Sequence, residues 1–591
     1  MQVNSLKQYI DLLESENELI RIKEFVDPEL EITEFSDRIM KQKGGGKAIL
    51  FENTGTDFPL LINHYGSDKR ILSALGISSF EEPSKKIDTL MGKMMGAGKN
   101  FKSKLALLPE LKNASKWMPQ KSSVKAPCQE IVHKDPDLSI LPVLKCWPFD
   151  GGPFATLPMV ITEDPETGIR NIGMYRMQIF DKNTTGMHWH LHKGGAAHYN
   201  KYKELGKKMP VTVVFGGDPV LTYCATAPLP ENIDEFMLAG FLKDKKVKLI
   251  KSLTNNIYIP ASSDIVIEGF IDPNEDLKKE GPFGDHTGFY SLDDLYPVFH
   301  VTCITHRKDA VYPATIVGIP PMEDFYIGKA TERIFLKPIQ ITIAPEILDI
   351  RLPAYGVAHN LVFIKTKNSY AGQSFKIMNA LLGAGQMMFS KVLICFNEDT
   401  DIQDDLAVIK AINKNFSINN IMIGKGPSDV LDHSAYTYTL SGKLLIDLTQ
   451  EIDKNQTDIF SIISEYKSPL QFNDKIKQIR ESKDLSSKKI IAFIDNFVEL
   501  DSEYLKAWYI LNNIDPSHDC IISDGKLFLD ACIKTNETGF ERRWPNPVIM
   551  NDKTIKSIDN KWEMLTKYNF IESPSIKLKK LQIGDNEIVN I

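Results

Sequence analysis

The sequence predicts a multidomain α+β chain: an N-terminal α/β domain, a central β-rich domain and a C-terminal α/β domain with an inserted segment. Three observations predict it. Residues 127–320 hold β-branched and aromatic runs bounded by Gly, Pro and Asp. Beyond them, similar runs alternate with segments of helical period, the pattern of a parallel sheet covered by helices. A polar stretch at about 450–520 then interrupts that alternation before the last apolar run.

In chain order, Leu6–Leu19 has helical spacing, and a second helix is expected over Pro28–Lys41. Lys47–Glu52 and Leu60–His64 read as short strands separated by the turn signal Asn53-Thr-Gly. Residues 96–126, rich in Lys, Gly and Ser, read as a connector. In the central domain the expected strands are Val211–Phe215, Leu221–Tyr223, Ile265–Phe270, Phe299–His306 and Tyr312–Val317, forming a barrel or a sandwich. A linker helix over Ala330–Ile341 leads to strand Asn360–Lys365, helix Gln373–Leu382, strand Lys391–Asn397, helix Ile402–Asn413 and strand Asn420–Ile423. The expected boundaries are 1–105, 106–325, a linker helix at 326–345, and 346–591 with the insertion at about 450–520. Ser441-Gly-Lys-Leu-Leu-Ile-Asp is echoed by Ser523-Asp-Gly-Lys-Leu-Phe-Leu-Asp. Two short matches do not make a solenoid, and the economical reading is a polar insertion before the final strand.

The 591 residues are 42% hydrophobic and 25% charged, so the chain can bury sizeable cores without staples. A formal charge of −7 with no long Lys/Arg block excludes the electrostatic footprint of a nucleic-acid binder. Lys243–Lys246 reads as a solvated face. Seven scattered cysteines without CxxC spacing fit a reducing compartment and argue against a thiolate zinc site. The start of the chain lacks a signal-peptide core, and no apolar run reaches the ~18–20 residues of a bilayer span. A cytoplasmic protein, at most peripheral to a membrane, is the expectation.

Three clusters carry chemistry. In Asn171-Ile-Gly-Met-Tyr-Arg176, Asn and Arg five residues apart leave a strand on opposite faces, so a site using both must lie at the strand's edge. The Arg fork suits a carboxylate or phosphate; the plainer reading is a surface ion pair. In His188-Trp-His190-Leu-His192-Lys-Gly-Gly, alternate imidazoles share one strand face as metal ligands do, and Lys193-Gly194 suits a phosphate. They would equally form a hydrated polar face. In Lys279-Glu280-Gly-Pro-Phe-Gly-Asp285-His286, a tight turn holds two acids close, one kept charged and one protonated as a proton donor requires. A plain turn with solvated acids is the alternative.

At these clusters the sequence resembles the UbiD family of decarboxylases, through Asn171-Ile-Gly-Met-Tyr-Arg, His192-Lys-Gly-Gly-Ala, Pro260-Ala-Ser-Ser-Asp-Ile-Val-Ile-Glu-Gly, Gly281-Pro-Phe-Gly-Asp-His-Thr-Gly-Phe-Tyr and Tyr370-Ala-Gly-Gln. The similarity runs from near the N-terminus to about residue 440 and resumes at Lys526–Pro545. The resemblance implies a flavin-reductase-like split β-barrel as the central domain and prenylated FMN as cofactor, supplied by a separate flavin prenyltransferase (UbiX). It also implies a divalent, manganese-type metal with potassium nearby. Carried over by motif, Asn171, His192 and Glu235 are metal ligands. Met174, Tyr175, Arg176, His188, Trp189, His190, Lys193 and Gly194 bind the cofactor, and Arg176, Glu280 and Asp285 are catalytic. The implied reaction is decarboxylation of a small aromatic acid on the way to ubiquinone or menaquinone, by a homo-oligomer (dimer or hexamer). His188 and Lys193 stand where some relatives carry Arg, and residues 450–520 have no counterpart in shorter relatives. The rival readings are an FMN-dependent oxidoreductase, a zinc hydrolase built on the three histidines, and a non-catalytic subunit of a decarboxylase complex. Phe325, Tyr326 and Leu336–Ile343 are candidate pocket walls.

Overall fold

The structure is a computed structural model that describes residues 3–96, 112, 114–189, 193–230, 232–452, 456–466, 469–482 and 484–590. The expected connector at 96–126 therefore lies largely outside the described residues, as do His190 and His192.

The N-terminal sheet has the order Leu19–Phe25, Ala48–Asn53, Leu60–Ile62, Tyr312–Pro313. The first helix, Leu6–Ser15, is capped by Ser5 and buries Leu6, Tyr9, Ile10 and Leu13. It ends sooner than its spacing implied because Leu19 already opens a strand. The fourth strand comes from the far end of the central domain, so the expected strand Tyr312–Val317 pairs only at its first two residues. The chain's tail returns here as well. Helix Asp552–Leu565 packs Trp562 against Phe35, ring centroids 5.1 Å apart. The fully buried Arg38, on helix Glu31–Met40, pairs with Glu34 and Asp559 at 2.7 Å each. An unpaired guanidinium in that position would be strongly destabilising, so the pair with Asp559 ties the ends of the chain together.

The central domain is an antiparallel sheet ordered Thr184–Gly186, Val298–His306, Ile265–Ile271, Met209–Phe215, Met159–Glu163, Arg170–Met174, with Ile131–His133 also pairing Val298–His306. Among the described residues the sheet is open and its outer strands do not close into a barrel. Leu221–Tyr223, expected as a strand, lies in the helix Pro219–Cys224. The Asp218 side chain accepts from Val220 N and Pro219 fills the first turn, a helix start that outweighs the β-rich composition. The helix is buried on all sides, which erased the periodicity that would have revealed it. Lys243 corrects the expectation of a solvated lysine face: it is 4% exposed, donating to Val3 O and paired with Asp218 at 2.9 Å.

Helix Glu323–Thr342 leads into a five-stranded sheet, Ile347–Arg351, Leu361–Thr366, Val392–Phe396, Leu440–Leu448, Ile421–Pro427. Its middle three strands are parallel, and Ile421–Pro427 is antiparallel to Leu440–Leu448. The polar segment that follows is no mere interruption. It builds a second sheet, Phe460–Tyr466, Ile490–Asp495, Lys526–Asp530, Cys520–Ser523, again with three parallel strands and an antiparallel hairpin. The two echoing sequences fall on the same strand of the two sheets. Lys443 Nζ donates to the carbonyls of Met388 and Ser390 ahead of strand Val392–Phe396. Lys526 Nζ donates to those of Leu485 and Lys488 ahead of Ile490–Asp495. Asp447 and Asp530 each accept from the backbone N–H two residues on. The echo is a repeated βαβ-type unit, and the final strand belongs to the second copy.

Candidate active site

Arg176 sits in a break between strand Arg170–Met174 and strand Met177–Gln178. The break lets Asn171 and Arg176 serve one edge without sharing a face. Arg176 Nε donates to Glu280 Oε1 at 3.1 Å, one terminal nitrogen donates to Asp285, and the other donates to Ser291 Oγ at 3.0 Å. The guanidinium stacks 4.6 Å from the Phe283 ring. Arg176 thus contacts both of the other predicted catalytic residues.

The loop that carries both acids is held from several sides. Gly281 adopts φ +98°, a conformation open to glycine, and its N–H donates to Gln178 Oε1. Buried Asp150 accepts from Cys146 N, Trp147 N and Gly284 N. Behind the loop, Trp508 Nε1 donates to Thr287 O and Val548 N donates to Gly288 O. Both come from the C-terminal two hundred residues, so the repeated unit and the tail shape the active loop. Asp150, Gln178, Ser291 and Trp508 escaped sequence reasoning, because plain polar or aromatic residues far apart in the chain carry no local signal.

The expectation that one acid is kept protonated is overturned. Burial pushes Glu280 and Asp285 upward, but Arg176 outweighs it, aided by His188 at Glu280 and His286 at Asp285; both carboxyls lie below their ordinary values. The proton sits instead on His286, whose pKa is pushed up to about 9: burial disfavours its charge, but Asp285 prevails. His188 follows no strand face. It lies beyond strand Thr184–Gly186, joins Glu280 Oε2 at 2.6 Å and packs, tilted, against Tyr296 with ring centroids 4.3 Å apart. The Glu280 contact commits its Nδ1 to the Arg–Glu–Asp cluster.

A second group of polar residues gathers where helix Glu235–Lys243 begins. Glu235 begins helix Glu235–Lys243 and accepts from Ile172 N, the residue beside Asn171. Burial pushes its carboxyl up to about 8, aided by Asp234, and Arg170 is too weak a cation there to offset it. Asn171 donates to Tyr175 Oη at 3.4 Å, and a Cβ at Gly194 would lie 2.1 Å from Asn171 Oδ1. Only glycine permits that approach. Lys193 and Gly194 open helix Gly194–Glu204; burial lowers the lysine's pKa, and Asp429 is the charge that opposes this. Trp189 Nε1 is buried with no hydrogen-bond partner among the described residues. An orphaned donor, a cation-poor carboxylate and a lysine at a helix N-terminus fit an anionic cofactor anchored through a metal. Met174 packs partly buried in the neighbouring core. No group of three or more His, Cys, Asp or Glu is arranged for a metal among the described residues, a set that lacks His192 and does not count Asn171. Leu336, Ile339 and Ile343 pack into the C-terminal core and are not pocket walls.

Three family models match: the 3-octaprenyl-4-hydroxybenzoate carboxy-lyase N-terminal domain over residues 10–91, its Rift-related domain over 120–320 and its C-terminal domain over 325–448. An uncharacterized protein of Aquifex aeolicus is 47% identical over 446 residues, 75% of this chain and 91% of its own. One of Helicobacter pylori J99 is 36% identical over 600 residues, covering 94% and 96%. Among solved structures, the closed form of vanillic acid decarboxylase from Sedimentibacter hydroxybenzoicus matches with TM-score 0.66 and 26% identity, over 81% of this chain and 98% of that one. The UbiD-class enzyme HmfF from Pelotomaculum thermopropionicum, in complex with FMN, shares the fold with TM-score 0.64 and 23% identity, over 80% and 99%. The chain belongs to the UbiD family, whose members are decarboxylases. Among the described residues no helix is long and apolar enough to cross a membrane.

Proposed function

We propose that this protein removes CO₂ without net oxidation from an aromatic acid of the hydroxybenzoate or hydroxynaphthoate type, using prenylated FMN. The observation that carries this reading is Arg176 clamped between Glu280 and Asp285, at the end of the strand whose Ile172, beside Asn171, donates to Glu235. Asn171 and Glu235, with His192, would hold a manganese-type ion and potassium nearby, Glu235 surrendering its proton to do so. Met174, Tyr175, His188, Trp189, His190, Lys193 and Gly194 would line the cofactor, its phosphate facing Lys193 and the helix start. When bound, the cofactor supplies the electron sink that loss of CO₂ from an sp² carbon requires.

The chain's own residues do the rest. Arg176 receives the substrate carboxylate as a two-pronged donor, and Glu280 with His188 holds the guanidinium in place. Phe154 and Phe283 cover its apolar side and keep water away. Asp285 relays the proton that replaces CO₂. A substrate on the way to ubiquinone or menaquinone, cofactor supply by a UbiX-type prenyltransferase, a homo-oligomer, a cytoplasmic setting and a central flavin-reductase-like split barrel complete the proposal. The proposed domain limits remain 1–105, 106–325 and 346–591, joined by a linker at 326–345. An FMN oxidoreductase would have no use for an arginine bridging two acids at this position. The test is mass spectrometry of the bound flavin after co-expression with a prenyltransferase, followed by CO₂ release from a panel of aromatic acids. Plain FMN that oxidises NAD(P)H, with no CO₂ from any acid, would contradict the proposal.

A further inference from the structure

A line of hydrogen bonds leaves the active loop and ends in the second repeat. Asp285 Oδ1 lies 3.1 Å from His286 Nδ1, and His286 Nε2 lies 3.2 Å from His359 Nε2. His359 Nδ1 is 3.2 Å from Asn360 Oδ1, Asn360 Nδ2 donates to Asn512 Oδ1 at 2.9 Å, and Asn512 Nδ2 donates to Trp508 O at 2.9 Å.

The far end fixes the direction of every bond. Trp508 O is a carbonyl and only accepts, so the Asn512 amide must point its Nδ2 there and present Oδ1 to Asn360. Asn360 must then donate with Nδ2, leaving its Oδ1 to accept from His359 Nδ1–H. Buried His359 is neutral, its pKa held down to about 4, so with a proton on Nδ1 its Nε2 is a lone pair. His286 must therefore donate from Nε2. Its Nδ1 faces a carboxylate kept charged by Arg176 and donates as well. Both nitrogens of His286 carry protons.

We propose that Asn512 and Asn360 are positioning residues that hold His286 as an imidazolium, the proton store from which Asp285 is charged at each turnover. The inference rests on the decarboxylase reading for its use, though not for its geometry. The balance is simple. His286 passes its Nδ1 proton to Asp285 Oδ1 and becomes neutral, and Asp285 gives a proton to the carbon whose bond pair was left when CO₂ departed. His286 then takes a proton from solvent, to which about a quarter of its side chain is open at 24%. One proton is consumed for each CO₂ released. The groups facing His286 are Asp285 on its own loop, Asp324 on helix Glu323–Thr342, Asp429 beyond strand Ile421–Pro427, and His359. Three acids favour the cation, and the neutral imidazole of His359 accepts from it. This explains how an acid held charged in the resting site can still deliver a proton, and why a unit remote from the substrate reaches the active loop.

The test is ¹⁵N-histidine NMR of the full-length chain, with His286 assigned by its loss in His286→Gln and His359 by its loss in His359→Gln. In the wild type, His286 should stay doubly protonated past pH 8, and His359 should show the neutral Nδ1–H form. Asn512→Leu frees the Asn360 amide to turn over, so the His286 pKa should fall by about one unit or more. Asn512→Asp keeps the accepting oxygen and should preserve it, which a merely structural role would not distinguish. A wild-type His286 pKa near 6.5, a His359 protonated on Nε2, or equal pKa values in Asn512→Leu and wild type overturns the inference. With prenylated FMN loaded, kcat should fall as pH rises through the His286 pKa while KM holds; a kcat flat through it also overturns the proton store. If the imidazoles behave as stated but no aromatic acid releases CO₂, the network stands and the decarboxylase reading falls instead.

Discussion

Glu235 and Asp285 are equally buried, each 8% exposed, yet their surroundings drive them in opposite directions. Glu235 sees no cation that outweighs desolvation and its pKa rises to about 8; Asp285 meets Arg176 and His286 and its pKa falls. The difference teaches that the charge each acid meets, and not its depth, sets its state; under the proposed function Asp285 then suits an incoming acid and Glu235 a metal. Burial alone would have made the two sites look alike.

Removing Arg176 should break the contrast most severely. Arg176→Ala leaves Glu280 and Asp285 buried without their shared cation, which destabilises by about 3–5 kcal/mol. It should also lower CO₂ release by about 10³-fold or more at saturating substrate. Asp285→Asn should keep the flavin spectrum and lose turnover by about 10²–10⁴-fold; full activity would defeat its role as proton relay.

Glu235→Gln sharpens the contrast through pH. Because its folded pKa is raised, Glu235 costs stability progressively as pH climbs from 4.5 towards about 8, where the unfolded chain ionises and the folded one resists. The metal-free Gln variant should therefore melt a few degrees above wild type at pH 8 and level with it near pH 4.5. Added Mn²⁺ should reverse that order by stabilising only the wild type. Asp285 has the opposite sign: its lowered pKa contributes stability above pH 3.8 that is lost as pH falls below it. The smallest effect is expected from Trp508→Phe, which keeps an aromatic ring against Gly288 but drops the bond to Thr287 O. Thermal melts should show a loss of about 1 kcal/mol, with CO₂ release little changed.

The sequence carried the broad architecture because alternation in the central strands and βα alternation beyond residue 345 are local patterns. Arg176, Glu280 and Asp285 were legible as a set through the family's motifs, not through spacing. Composition misled at Leu221–Tyr223, where burial on all sides hid a helix, and at Lys243, whose charged neighbours disguised a buried ion pair. The Ser441 and Ser523 echo was visible, but only strand order shows that it repeats a whole unit. Asp150, Ser291, His359 and Asn512 gain their meaning from neighbours far away in the chain, as Asn360 and Asn512 show with a separation of 152. Contacts of that kind leave no local trace.

The central claim is replacement of a carboxylate by a proton with no net redox change, and turnover in D₂O tests it most directly. Wild-type enzyme loaded with prenylated FMN and Mn²⁺ should release CO₂ from a hydroxylated aromatic acid and yield a product with one deuterium at the carbon that bore the carboxylate, consuming no NAD(P)H. Absence of CO₂ across the panel, a product without deuterium at that carbon, or NAD(P)H consumption matching turnover would contradict the account.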